Sequence, residues 1–179
     1  MDSSSSAESI QEAIPNNHCW GCGTLNPVGL HIHSHFQGDE SVCVHVPGGE
    51  FMAGPTHVLN GGILATLVDC HCVCTAIADA YRSEGRAVGE PPEIWYATAS
   101  LHLDYRLPTP LGGPVTLRAI ITERSSRKRT LRCRVVAGGD TTVEATVVAV
   151  RVPPEWRDPN GHTLRRNGHG AGPDPHGPS

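Results

Sequence analysis

The sequence predicts an α+β domain in which an antiparallel sheet covers one long, buried helix. Two short alternating segments precede the helix, and three or four alternating segments follow it. Between them, residues 61–82 are apolar nearly all round, and a helix without a polar face is usually a buried one. The length of 179 residues suggests a single domain of this kind.

The segments before the helix predict an ordered loop followed by a hairpin. Residues 18–29 are rich in turn formers and predict the loop. Residues 30–36 and 41–46 alternate as half-buried strands do, and Gly38-Asp39 lies between them as the turn.

The helix has a clear start, because Asn60 is a good N-cap residue. Asp69, His71 and Asp79 interrupt its apolar run, which makes it a poor candidate for a membrane span. We expect Asp79 to lie near the exposed end of the helix.

The segments after the helix predict the rest of the sheet. They are residues 94–106, 115–123, 130–137 and 141–152. The last two are joined by Gly138-Gly139-Asp140, a strong tight-turn signal. The apolar character of the helix on both sides predicts that the sheet wraps it or that a second subunit covers it.

The two ends of the chain have a different composition. Residues 1–14 and the Gly/Pro/His-rich residues 154–179 contain too few apolar side chains to offset chain entropy, so both are predicted to be disordered. The folded domain is predicted to span residues 15–153.

Composition narrows the function classes. A net charge of −4 gives no indication of nucleic-acid binding. We expect no signal peptide, since no basic segment precedes an apolar one near the N-terminus. Seven cysteines without a regular framework favour free thiols and a cytoplasmic location.

Asp69 is the most informative residue, because a carboxylate on an apolar helix is costly unless it is paired, hydrogen-bonded or functional. Gly61 and Gly62 place unhindered N–H groups at the start of the same helix, where the dipole favours negative charge. The glycine amides therefore suggest a site that polarises a carbonyl, and Asp69 suggests a base that activates water. The alternatives are a carboxylate satisfied by a neighbouring element and glycines that allow close packing.

The cysteines are predicted to be structural rather than metal ligands. Cys19 and Cys22 form a Cys-x-x-Cys pair, but zinc takes four ligands and no second such pair is present. Cys70, Cys72 and Cys74 cannot all share one helix face, so packing is the favoured role. No metal and no cofactor is predicted.

Three runs resemble those of hotdog-fold thioesterases of the PaaI-like group. HCWGCGTLNPVGL at residues 18–30 resembles their N-terminal loop, and AGPTHVLNGGILATLVD at residues 53–69 is similar to their central motif. TASLHLDYRLP at residues 98–108 is similar to the strand after the helix. The three runs occur in the family's order.

The resemblance implies a hotdog fold and hydrolysis of acyl-CoA thioesters, with CoA as part of the substrate. It implies a homodimer or homotetramer with active sites at the subunit interface. It assigns Asp69 as general base or nucleophile, the amides at Gly61 and Gly62 as donors to the thioester oxygen, and Thr98 as the residue that holds water.

One position departs from the family pattern. Asn60 stands where the motif has histidine, while His57 lies three residues earlier and is a candidate substrate-binding group. Asn60 can donate a hydrogen bond but cannot carry a proton. This departure supports one rival function, a non-catalytic protein that binds acyl-CoA or an acyl ligand. A second rival, a hydroxyacyl-thioester dehydratase, is less favoured, because such enzymes generally need a catalytic histidine and none occupies the matching place.

A basic run at residues 124–129 offers a phosphate site. Ser126, Arg127 and Lys128 are candidates to bind the phosphates of CoA, since guanidinium groups match phosphate well. The alternative is a solvated hairpin turn. Neither a nucleic acid nor a membrane is expected as a partner.

Overall fold

A six-stranded antiparallel sheet wraps one long helix in the computed structural model, which describes residues 8–157. The strand order is β1-β2-β4-β5-β6-β3. The elements are α1 (Ile10–Ala13), β1 (Ser34–Gln37), β2 (Glu40–His45), α2 (Gly61–Ser83), β3 (Trp95–Tyr105), β4 (Val115–Arg124), β5 (Lys128–Ala137) and β6 (Asp140–Val152). The predicted α+β class is confirmed, and the arrangement is the hotdog fold.

Helix α2 forms the centre of the core. Leu67 and Val68 are fully buried, and Ile77 is almost so. Asn60 caps the helix by accepting the Gly62 N–H at 2.8 Å, as predicted. By length and composition α2 would also suffice to cross a membrane, but 61% of its most apolar window is buried inside the domain, as in a core helix.

The first hairpin is shorter than predicted. Strand β1 begins at Ser34, so the assignment of residues 30–33 to a strand was wrong. His31 has a left-handed φ of 49°, which interrupts an extended chain. Leu30 and Ile32 are nevertheless buried, because the loop packs into the core.

The N-terminal segment is folded from residue 8 onward, so predicted disorder was wrong for residues 8–14. Ser9 and Glu12 form a capping box at the start of α1, and Ile10 and Ile14 are buried. The Gln11 side chain accepts the Ser34 N–H at 2.7 Å, which attaches the segment to β1. Residues 1–7 lie outside the described chain.

At the other end, Pro154–Arg157 forms a 3₁₀ turn, contrary to the disorder predicted for those residues. The remainder of the predicted tail, residues 158–179, lies outside the described residues.

Asp79 is buried rather than near an exposed helix end, so that prediction was wrong. Its side chain accepts hydrogen bonds from Arg124 at 2.9 Å and from Arg129 at 2.7 Å. These arginines lie on β4 and β5, and the contacts therefore tie the end of α2 to the β4–β5 turn. A buried carboxylate held by two guanidinium groups is compensated for its loss of water.

Strand β3 lies at one edge of the sheet and pairs only with β6 within the described chain. The register shifts between Thr98 and Ser100, where Ala99 is the extra residue of a bulge. The free side of β3 is an edge with unpaired backbone groups, and such an edge favours pairing with another strand.

Candidate functional site

Asp69 and Thr98 meet where α2 crosses the edge strand. The Thr98 hydroxyl donates a hydrogen bond to Asp69 Oδ1. Asp69 is half-buried and Thr98 is exposed, so the pair lies at the boundary between the core and solvent. The bulge that follows Thr98 locally changes the alternation of β3 at this point.

The environment of Asp69 favours the neutral carboxyl more than water does. Burial raises the pKa of Asp69, and the hydrogen bond from Thr98 opposes this by lowering it. One hydroxyl is the only hydrogen-bond donor from the described residues that reaches this carboxylate, so its second oxygen is available to another molecule.

A cavity of about 390 Å³ opens beside the pair. Its walls are mostly apolar and include Val73, Ile77 and Trp95, with Asp69 and Thr98 among the lining residues. Apolar pockets with a few convergent polar groups are the usual form of small-molecule sites. The cavity can therefore hold an apolar group next to a carboxylate.

A second depression of about 390 Å³ lies on the outer face of the sheet and is lined by four arginines. Arg118 pairs with Glu40 at 2.6 Å, and Arg106 pairs with Glu144 at 2.7 Å. Arg134 also lies 3.6 Å from Glu40, so three of the four arginines are paired. Since Asp69 does not line this depression, we place the candidate site at the apolar cavity.

The start of α2 offers one available amide rather than two. The Gly62 N–H is occupied by Asn60, so its prediction as a free donor was wrong. The Gly61 N–H has no acceptor among residues 8–157, and the Gly61 carbonyl accepts the Tyr105 hydroxyl at 2.8 Å. Gly61 is thus fixed against the far end of β3 with its N–H available.

Gly61 and Asp69 of one chain are too far apart to act on one carbonyl. They are separated by eight residues, which corresponds to about 12 Å along a helix. Each would have to lie within about 3 Å of the reacting group. The sequence prediction of these two groups around one carbonyl therefore does not hold within a single chain.

The remaining predicted residues lie outside the immediate site. His57 is exposed in the loop before α2, and its carbonyl accepts the Leu111 N–H at 2.9 Å. The structure does not bring His57 into contact with Asp69.

The basic turn between β4 and β5 is exposed and carries Ser126, Arg127 and Lys128. Lys128 lies 3.4 Å from Glu123. Arg129, next to the turn, and Thr98 both pair with Ala149 on β6, so the turn lies at the same end of the sheet as the Asp69–Thr98 pair.

Sequence reasoning missed a cluster of cysteines beside the cavity. The sulfur atoms of Cys19, Cys22 and Cys70 all lie within 4.8 Å of one another. Cys74 adds a fourth sulfur, 3.6 Å from that of Cys22. The available signal was the spacing of Cys70 and Cys74, because residues four apart on a helix share a face.

The family model of the thioesterase superfamily matches residues 56–144, which include α2 and most of the sheet. An acyl-coenzyme A thioesterase of Xenopus laevis, THEM4, is 28% identical over 115 residues. That match covers 63% of this chain and 46% of the relative, so the chain spans about half the length of the curated relative.

Solved structures show the same architecture. A thioesterase superfamily protein from Shewanella loihica PV-4 is 25% identical, with a TM-score of 0.58 over 77% of this chain and 96% of that protein. The PaaI protein of the phenylacetic acid degradation operon of E. coli is 13% identical, with a TM-score of 0.56 over 69% of this chain and 81% of that protein. At that identity, the second similarity shows the fold alone.

Proposed function

The chain belongs to the thioesterase superfamily, and from this premise we propose that it is an acyl-CoA thioesterase that releases a free acid and CoA. The observation that carries the proposal is the Asp69 carboxylate, which accepts a hydrogen bond from Thr98 in the wall of an apolar cavity. The named activity of the Xenopus relative, an acyl-coenzyme A thioesterase, and the superfamily of the Shewanella protein support the same reaction class.

In the proposed mechanism Asp69 is the general base. Its free oxygen accepts a proton from water while the water oxygen attacks the thioester carbon. The carbon–sulfur bond then breaks, and the CoA thiolate leaves and takes up a proton. Thr98 donates to the carboxylate, and its hydroxyl oxygen can accept a hydrogen bond from the same water.

The carbonyl donor is proposed to come from a second copy of the chain. Asp69 contacts Thr98 near one end of β3, whereas Gly61 contacts Tyr105 at its other end. If two β3 edges pair antiparallel about the middle of the strand, the Tyr105 end of one copy lies opposite the Thr98 end of the other. This arrangement would place a Gly61 N–H near Asp69, and it supports a homodimer or a tetramer built from it.

The basic turn is the proposed contact for the coenzyme phosphates. Arg127 is exposed there, and the turn lies at the end of the sheet nearest Thr98. Arginine pairs with phosphate through parallel N–H donors. Ser126 and Lys128 complete the proposed surface.

The central test replaces Asp69 by Asn, which keeps the shape and removes the base. We expect turnover to fall by about 100- to 10,000-fold with the Tm unchanged, because general-base catalysis contributes that range. Asp39→Asn is the control, since Asp39 is exposed in the β1–β2 turn. The assay follows free thiol from short, aromatic and long acyl-CoA esters. Near-normal hydrolysis by Asp69→Asn would refute the mechanism.

A single-turnover reaction in ¹⁸O water separates a base from a nucleophile. If Asp69 activates water, the acid formed in the first turnover contains ¹⁸O. If Asp69 attacked the carbonyl itself and water then opened the anhydride at the Asp69 carbon, the first acid would contain an unlabelled oxygen from the enzyme.

A non-catalytic acyl-CoA-binding protein is the second candidate, and the position of Asn60 favours it. The Asn60 side-chain oxygen Oδ1 accepts the Gly62 N–H as a helix cap, so that oxygen is occupied within the chain. Tight binding of acyl-CoA without product from any ester in the panel would support this candidate. Consumption of a hydroxyacyl-CoA without release of thiol would instead indicate the dehydratase.

A further inference from the structure

The sulfurs of Cys19, Cys22 and Cys70 converge within 4.8 Å of one another where the N-terminal loop crosses α2, and the Cys74 sulfur joins them through Cys22. The Cys19 and Cys70 sulfurs are 3.7 Å apart, and those of Cys22 and Cys74 are 3.6 Å apart. Zinc–sulfur bonds of about 2.3 Å in a tetrahedron put neighbouring sulfurs about 3.8 Å apart. Both separations thus match an edge of a tetrathiolate zinc site.

The backbone is shaped for this convergence. A side chain at Gly21 would place its Cβ 2.3 Å from the Cys70 sulfur, so only glycine lets the loop approach the helix this closely. The Gly23 N–H donates to the Cys19 carbonyl at 2.7 Å and closes the Cys-x-x-Cys turn. The loop therefore presents both of its sulfurs toward α2.

The cluster combines burial with an entry path. Cys22, Cys70 and Cys74 are at least 95% buried, while Cys19 is exposed. The Asn17 side-chain amide donates to the Cys22 sulfur at 3.5 Å. Hydrogen bonds of this kind to a ligating sulfur orient it and tune the metal site.

We propose that Cys19, Cys22, Cys70 and Cys74 form a zinc site that fastens the N-terminal loop to α2 beside the candidate catalytic pair. Two ligands come from a Cys-x-x-Cys turn and two from successive turns of one helix face. Four thiolates suit zinc, which favours sulfur ligands in a tetrahedron. With all four positions filled by protein, the site is structural, and no open position remains for substrate.

A disulfide is the competing use of these thiols, but it explains less. A disulfide needs two sulfurs, whereas four from two segments meet here. Binding of zinc to four thiols releases their protons and changes no oxidation state.

The test adds Co²⁺ to the full chain, purified without a polyhistidine tag and kept fully reduced. We expect about one Co²⁺ per chain, with thiolate-to-cobalt charge-transfer absorption and the visible bands of a tetrahedral site. The eleven histidines of the chain cannot produce that charge-transfer band, so binding to them is distinguished. Zn²⁺ should displace the cobalt and raise the Tm.

Cys70→Ala and Cys72→Ala form the matched pair of variants. Both residues are buried on α2, but the Cys72 thiol hydrogen-bonds with Cys133, and Cys72 is not among the sulfurs that converge with Cys19 and Cys22. Each of Cys19→Ala, Cys70→Ala and Cys74→Ala leaves three thiolates, so we expect each to weaken cobalt binding and to reduce the charge-transfer band. Cys72→Ala should retain both the affinity and the full band.

Alkylation of the unmodified chain tests the site without any variant. Zinc should protect Cys19, the exposed member of the cluster, from iodoacetamide, as read by peptide mapping, and chelation should remove the protection. The proposal is overturned if the reduced chain shows no charge-transfer band, if Cys70→Ala binds Co²⁺ as tightly and with the same band intensity as the unmodified chain, or if zinc leaves the alkylation of Cys19 unchanged.

Discussion

Two aspartates on α2, ten residues apart, occupy opposite environments. Asp79 is 6% exposed and is held by two arginines, whereas Asp69 is half-buried and receives one hydroxyl. Both carboxylate oxygens of Asp79 accept hydrogen bonds from the two guanidinium groups, Oδ1 from Arg124 and Oδ2 from Arg129. Asp69 keeps an oxygen available at an apolar cavity. The comparison shows that burial of a carboxylate alone does not indicate a functional role. The hydrogen-bond partners of the carboxylate distinguish a structural role from a catalytic one.

The largest effect on stability should come from Asp79→Asn. Breaking a buried ion pair leaves uncompensated charge, so we expect unfolding to become easier by about 3–5 kcal/mol. Chemical denaturation measures the loss. Activity per folded molecule should fall far less than in Asp69→Asn, because Asp79 does not line the apolar cavity. A stable Asp79→Asn variant without activity would contradict the assignment of a structural role to Asp79 and a catalytic role to Asp69.

The two arginines around Asp79 should differ in their contributions. The Arg129 side chain is 8% exposed and that of Arg124 is 51% exposed. We expect Arg129→Gln to cost about 3 kcal/mol of unfolding free energy and Arg124→Gln at most about 1 kcal/mol, because solvent screens exposed pairs. Urea titrations measure the unfolding free energy of both variants. Equal losses would show that the exposure of an arginine does not determine how much its ion pair stabilises the fold.

Thr98→Val sharpens the description of Asp69 by removing its hydroxyl partner. A hydrogen bond to a charged group is worth about 1.5–3 kcal/mol, so kcat/KM should fall about tenfold to a hundredfold. Thr122→Val is the control, since Thr122 is an exposed strand threonine that donates to the Thr130 carbonyl. Steady-state kinetics on the best acyl-CoA ester measure both variants. An equal loss in the two variants would argue against a specific role for Thr98.

The smallest effect concerns the start of the helix that carries both aspartates. Asn60→Ala removes the cap on Gly62 and should cost about 1 kcal/mol of stability, while Asn60→Asp should restore most of it. Thermal unfolding compares the two. If Asn60→Ala leaves the Tm unchanged, the cap does not contribute to holding the helix start.

Local signals in the sequence predicted most of the fold. The predicted helix over residues 61–82 matches Gly61–Ser83, because the cap and the apolar run both lie within the segment. The capping box of Ser9 and Glu12 was equally local but was overlooked in a polar, serine-rich context. No local signal indicated that the first strand begins only after residue 33. The extended chain is interrupted by the left-handed conformation of His31, which lies within an alternating sequence pattern.

The site was harder to predict because its contacts join distant segments. Thr98 was placed near Asp69 only through the family resemblance, and the two are 29 residues apart. The arginines that hold Asp79 lie 45 and 50 residues after it, so nothing near Asp79 indicated its burial. The separation of Gly61 from Asp69, by contrast, follows from helix geometry alone.

The ion pairs at Asp79 also determine how two parts of the proposed enzyme move together. They bind the end of α2 to the arginines on either side of the basic turn, while Asp69 lies about 15 Å back along the same helix. The turn and the base are therefore parts of one rigid body. The distance from that turn to the base would therefore be fixed. A coenzyme held by its phosphates at the turn would present its thioester to Asp69 only if its pantetheine arm matched that distance. Simple thioesters without the nucleotide would not be positioned by the phosphate contacts, and the enzyme would not select among them by the length of the arm.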